Sequence, residues 1–177
     1  YTTHVRMEDL KEFETSGRLW RRSLLTADQV EALALHCDVG DKPGARLPLF
    51  AELLSVLGPN GPLSGELESL AVDATPVRLV AFNKSSEVNW GVPWHQDRVV
   101  AVKQNVDNEG YSNWVPKSGF WHCEPPIELL ANMLFVRIHI DRCDELNGAM
   151  EVALGSHKLG FVPASLAGDV AASLPTE

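Results

Sequence analysis

Val92-Pro93-Trp94-His95-Gln96-Asp97-Arg98-Val99-Val100-Ala101-Val102-Lys103-Gln104 is the stretch on which the reading of this chain turns. From Arg98 to Gln104 it has the valine-rich composition of a strand. Successive strand side chains point to opposite faces, so His95 and Asp97 project together and Gln96 faces the other side. An imidazole and a carboxylate presented side by side can bind one metal ion. With one distant histidine they would complete a facial triad that leaves three positions on iron open. Taken alone, His-x-Asp also describes an exposed polar pair at a strand end.

Upstream the pattern is helical. Thr26-Ala-Asp-Gln29 has the form of a capping box, followed by Val30, Leu33, Ala34 and Cys37 on one face. Met7, Leu10 and Phe13 at helical spacing before Gly17 predict a short helix, with a strand near Leu19 to Ser23 after it. A third helix is expected from Pro48 to Gly58 and a fourth from about Leu63 to Ala71. Residues 1–75 are therefore mainly helical. Downstream, Val77 to Phe82, Met133 to Ile140 and Met150 to Leu154 read as further strands, with a hairpin signal at Asn147-Gly148. Asn105 to Pro126, rich in Gly, Pro, Trp and Asn, reads as a long binding loop or lid. Helices first and strands later predict an α+β fold with a mainly β core, either a sheet sandwich or a barrel.

The chain has 177 residues, 45% of them apolar, enough for one domain with its own core. Its 15 Lys plus Arg against 24 Asp plus Glu give a net charge of -9 without a basic stripe, which disfavours nucleic acid and anionic membranes as partners. Cys37, Cys123 and Cys143 have neither disulfide-framework nor zinc-site spacing. With no membrane-spanning run and no secretory segment visible, a cytoplasmic protein is expected.

Three motifs occur in order: Phe82-Asn-Lys-Ser-Ser86, then Val92-Pro-Trp-His-Gln-Asp97, then Asn147-Gly-Ala-Met-Glu-Val-Ala-Leu-Gly-Ser-His157-Lys-Leu-Gly160. Together, over roughly residues 77–162, they resemble the phytanoyl-CoA dioxygenase family of non-haem iron enzymes. The resemblance implies a double-stranded β-helix, a cupin-like jelly roll with the N-terminal helices packed outside. It also implies Fe(II), 2-oxoglutarate as co-substrate and O2, with hydroxylation of a small-molecule or acyl-CoA-like substrate and release of succinate and CO2.

Carried over by position, His95 and Asp97 match the first two iron ligands. Gln96 stands where relatives can help fix 2-oxoglutarate. Lys84 follows a strand end, where a cation could meet the co-substrate's distal carboxylate. Arg137 falls where many relatives place a tryptophan beside the co-substrate, and could be a carboxylate clamp or a structural ion-pair partner. The resemblance places the third iron ligand, a histidine, and a 2-oxoglutarate-anchoring arginine beyond Glu177, so the jelly roll is expected to lack its closing C-terminal strands here. His122 and His139 are the alternative third ligands, and His157 matches a histidine that is usually structural.

Cys123 beside His122 does not form a nucleophile and base, since neighbours on an extended chain diverge. His4 and His36 read as a terminal and a helix-face histidine. Trp90, Trp94, Trp114 and Trp121 crowd the site as packing or stacking residues. A halogenase is disfavoured by Asp97, which occupies the position a small residue would take. A jelly-roll binding protein with a degenerate metal site is the reading from a different class.

Overall fold

Thr26 caps the helix that organises the N-terminal part. Its hydroxyl accepts from the Gln29 backbone N–H at 3.3 Å, and the Gln29 side-chain oxygen accepts from the Thr26 N–H at 2.9 Å, the reciprocal box expected from the sequence. The computed structural model describes residues 6–70, 73–84, 91–106, 108–117 and 119–177. His4, Ala71, Ser85, Ser86 and Trp90 lie outside them.

Four helices occupy residues 7–70 of the described chain, with the first strand between the second and third: α1 (Met7–Ser16), α2 (Ala27–Cys37), α3 (Ala51–Leu57) and α4 (Ser64–Leu70). Gly17 ends α1 in the left-handed region, φ 79°, its N–H returning to the Phe13 carbonyl at 2.8 Å. Arg21 ties α1 to α4, meeting Asp9 at 3.0 Å and Glu66 at 2.9 Å. Hydrogen bonding to Arg6, with the charge of Arg21 adding to it, holds the Asp9 carboxyl below the ordinary carboxylate range.

The buried cluster sits under these helices. Leu33 of α2 and Leu53 and Val56 of α3 form its centre, flanked by Leu25, Phe50, Leu57, Leu63, Leu79, Ile138 and Ile140. Burying a leucine or valine of this kind contributes about 1.5–3 kcal/mol. The centre is therefore helical, where the sequence suggested a mainly β core.

The described residues also form two small open antiparallel sheets. β1 (Gly44–Leu47) pairs with β2 (Leu79–Phe82), Gly44 opposite Phe82 and Leu47 opposite Leu79. β3 (Val100–Val102), β4 (Ser112–Lys117) and β5 (Phe120–Glu124) form the second sheet in the order β3-β5-β4. Short helices α5 (Ile127–Ala131) and α6 (Ala167–Ala172) and two 3-10 turns, Ser156–Leu159 and Ala164–Leu166, complete the chain. The result is a mixed helix and sheet fold, and its two described sheets do not by themselves make a jelly roll. Among the described residues no helix is long and apolar enough to cross a membrane.

Four sequence expectations are corrected. The Asn105 to Pro126 loop contains the β4–β5 hairpin: Pro116 is tolerated because β4 is an edge strand, and the register slips between Ser112 and Val115, where Asn113 has φ 54°. Leu19 to Ser23 is not a strand, since Ser23 takes a left-handed φ of 55° that breaks an extended run. Met133 to Ile140 alternates only over its last four residues, with Ile138 and Ile140 half-buried and Arg137 and His139 exposed, and is assigned no strand among the described residues. A strand requires a neighbour's backbone as well as its own pattern. Met150 to Leu154 makes only the Ala153–Thr176 bridge, and Asn147-Gly148 closes a turn on Asp144 instead of a hairpin.

Candidate metal centre

Side-chain exposure alternates along the segment that leads into β3. Trp94, Gln96, Arg98 and Val100 are half-buried, while His95, Asp97 and Val99 are exposed, although ladder pairing begins only at Val100. The period-two separation of faces expected from the sequence is therefore present.

The inner face has three anchors. Trp94 lines a cleft of about 320 Å³ with Glu151, Ala171, Ala172 and Thr176. The Gln96 side-chain nitrogen donates to the Gly160 carbonyl at 2.8 Å, and its oxygen accepts from the Val162 N–H at 2.9 Å. Arg98 lies over the Phe161 ring, 4.4 Å from its centroid, and reaches Glu124 at 3.5 Å. Residues 160–162 are thus gripped one after another by Gln96 and Arg98.

The outer face holds the candidate ligands. His95 Nε2 is 3.6 Å from Asp97 Oδ1, and the two side chains are 52% and 64% exposed, open to an ion from solvent. His95 Nδ1 lies 2.8 Å from the Pro93 carbonyl oxygen. A carbonyl can only accept, so Nδ1 carries a proton in this contact, and in the neutral ring Nε2 is the nitrogen whose lone pair faces the carboxylate. That is the arrangement found behind metal-ligating histidines, where the second ring nitrogen is held by a hydrogen bond. Two donors at right angles on bonds of about 2.1 Å stand about 3.0 Å apart. The observed 3.6 Å therefore requires a closure of only about 0.6 Å, within the reach of side-chain rotation. A neutral imidazole nitrogen and a carboxylate oxygen suit iron(II) as two of three ligands. Among the described residues no group of three His, Cys, Asp or Glu is placed to hold a metal ion.

His95 and Asp97 are the predicted site residues that the fold brings together. Gln96 is turned to the inner face with both amide atoms engaged. Lys84 is half-buried two residues beyond β2, and Arg137 is exposed on the extended segment before His139. His139 packs beside Trp20, ring centroids 5.5 Å apart; burial, with the charge of Arg137 adding to it, lowers its pKa. His122 sits on the central strand opposite Ala101 and Val115, its Nδ1 buried without a hydrogen-bond partner among the described residues. Cys123, next to it, is fully buried and its thiol pKa is raised by burial, which suits packing and not nucleophilic attack. His36 stacks on Phe50 with centroids 4.4 Å apart, as a helix-face residue does.

His157 has a defined structural place. Its Nε2 is 3.2 Å from the Glu14 carbonyl, and the Gly155 N–H donates to the Ser16 carbonyl at 2.7 Å. Both acceptors lie in the last turn of α1, whose carbonyls lack partners within the helix. The Gly-Ser-His turn therefore caps α1 from a distant part of the chain. Arg98 and its contact with Phe161 were not anticipated; the same alternation that paired His95 with Asp97 puts Arg98 on the face of Trp94 and Gln96.

A sequence model described as phytanoyl-CoA dioxygenase (PhyH) matches residues 64–170, well over half of the chain and including the whole of this centre. No curated protein and no solved structure gives a significant match.

Proposed function

Because the chain belongs to the phytanoyl-CoA dioxygenase family, whose members are oxygenases typically dependent on iron(II) and 2-oxoglutarate, we propose that it is an iron(II)- and 2-oxoglutarate-dependent hydroxylase acting on a C–H bond of a small-molecule or acyl-CoA-like substrate. The observation that carries this reading is the Pro93–His95–Asp97 arrangement. The Pro93 carbonyl fixes the imidazole so that Nε2 faces a carboxylate across 3.6 Å on an exposed surface.

In this reading His95 Nε2 and Asp97 hold the metal. Bound iron(II) with 2-oxoglutarate and O2 would supply the oxidising power for hydroxylation, with succinate and CO2 as co-products. The protein's own contribution is orientation. The Pro93 carbonyl keeps the imidazole in the tautomer that can ligate, and Asp97 supplies a negative charge suited to a divalent cation. Lys84 and Arg137 are the cations proposed to meet the co-substrate's carboxylates through charge-assisted bonds. The β4–β5 hairpin is proposed as the wall of the substrate site, since β5 pairs with β3 and β3 continues directly from the ligand-bearing segment.

The test is formation of succinate from 2-oxoglutarate by the full chain, with iron(II) and without it. Iron-dependent succinate that disappears in a folded Asp97→Asn variant is the expected result. Iron binding with no turnover would favour a binding protein with a non-catalytic metal site, and no iron binding would overturn the reading altogether.

A further inference from the structure

We infer that Gln96 is a positioning residue, which holds His95 and Asp97 in place by clamping their segment to the Gly160–Val162 backbone; this rests on the metal-binding reading of that pair. The side-chain amide bonds two backbone groups two residues apart, donating to the Gly160 carbonyl and accepting from the Val162 N–H. It thus acts like a peptide group added at a strand edge. The orientation is fixed by chemistry. Turning the amide over would set NH2 against N–H and oxygen against carbonyl, losing both bonds. Each amide atom therefore makes one bond to the backbone, and these two bonds fix which way the amide faces.

The surface that Gln96 grips is itself anchored. Residues 160–162 follow directly on the 3-10 turn Ser156–Leu159, and that turn is fastened to α1 through Gly155 and His157. Gly160 leaves the turn at φ 64°, a conformation that favours glycine, with its carbonyl on the Gln96 amide. The last turn of α1 is thus linked by hydrogen bonds to the Gly-Ser-His turn, whose backbone leads directly into the Gly160–Val162 segment held by Gln96. Gln96 sits between the two ligands in sequence, so a backbone rotation there swings His95 and Asp97 apart. Outer partners of this kind hold ligands to within a fraction of an ångström.

The test is cobalt(II) binding by the full chain, followed by titration calorimetry, together with amide exchange at Val162. Gln96→Met keeps the side chain's length and removes both hydrogen bonds. It is expected to weaken cobalt(II) binding about 10- to 100-fold, the usual cost of losing an outer-shell partner, and to speed exchange at Val162, with the far-ultraviolet circular dichroism of wild type. Gln96→Glu, which keeps the acceptor for Val162 and loses the donor to Gly160, is expected to fall between, and it carries the test if the methionine variant does not fold. Wild-type protein that binds cobalt(II) while the folded variants bind it equally well would overturn the positioning role and leave the metal reading standing. Wild-type protein that binds no cobalt(II) would overturn both.

Discussion

Replacing Gly17 by alanine perturbs the junction between α1 and the turn that supports the metal pair. A β-carbon at Gly17 would lie 2.9 Å from His157 Cγ and closer still to Nδ1, so the imidazole must swing away. Moving it sacrifices the Nε2 contact with the Glu14 carbonyl, a bond of this type being worth about 0.5–1.5 kcal/mol. The left-handed φ of 79° adds about 1–2 kcal/mol of strain for an L-residue. Reduced freedom of the unfolded chain offsets that by about 0.4–1 kcal/mol. The expected loss is about 2 kcal/mol. Gly40 supplies the control, since it has φ 59° and nothing within 4 Å of an added β-carbon, so Gly40→Ala carries the strain alone and should cost about 1 kcal/mol. Urea denaturation measures both, and the double variant Gly17→Ala/His157→Ala should show a coupling of about 1 kcal/mol. Equal costs at Gly17 and Gly40, with additive behaviour in the double variant, would refute the docking of His157 on α1.

Three further outcomes follow from the packing and electrostatics. Leu53→Ala, at the centre of the cluster with 6% exposure, should destabilise by about 2–5 kcal/mol, read as a lower urea midpoint with an unchanged slope. The lowered pKa of His139 means that below about pH 6.5 the unfolded chain takes up a proton that the folded chain resists, so stability should fall as pH drops through that range. In His139→Asn that component of the pH profile should vanish. For Asp9, held below the ordinary carboxylate range, the sign is the same but the cause is stabilisation of the charged form: its contribution is fully present above about pH 4 and is lost as pH falls further, so an Asp9→Asn variant should lose stability at neutral pH and show a flatter acid limb.

Helices were legible because their signals are local. Thr26 with Gln29, and Gly17 and Gly58 at helix ends, mark boundaries that the structure reproduces to within a few residues. Strands depend on partners far away in the chain, and there local pattern failed in both directions. Gly44-Ala45-Arg46-Leu47 has no β signature and is a strand because β2 lies alongside it. Met133 to Ile140 has the signature and is assigned no strand. The β4–β5 hairpin was hidden by Pro116 and by a bulge, though the Ser-Gly dipeptide between Trp114-Val115 and Phe120-Trp121 in the sequence is a turn signal that could have revealed it. At the centre itself, alternation alone placed His95 with Asp97 and Gln96 opposite. The sequence held no sign that Gln96 would meet residues 160–162, because that contact spans more than sixty residues of chain.

Proton NMR of the full chain loaded with cobalt(II) reads whether His95 ligates through Nε2 beside Asp97. A histidine bound through Nε2 keeps its Nδ1–H, and here the Pro93 carbonyl shields that proton. Ligation of this kind gives a strongly shifted, exchangeable imidazole N–H resonance that is absent in His95→Gln and in Asp97→Ala. Cobalt(II) that produces no shifted N–H, or a shifted N–H that survives replacement of His95, would contradict it.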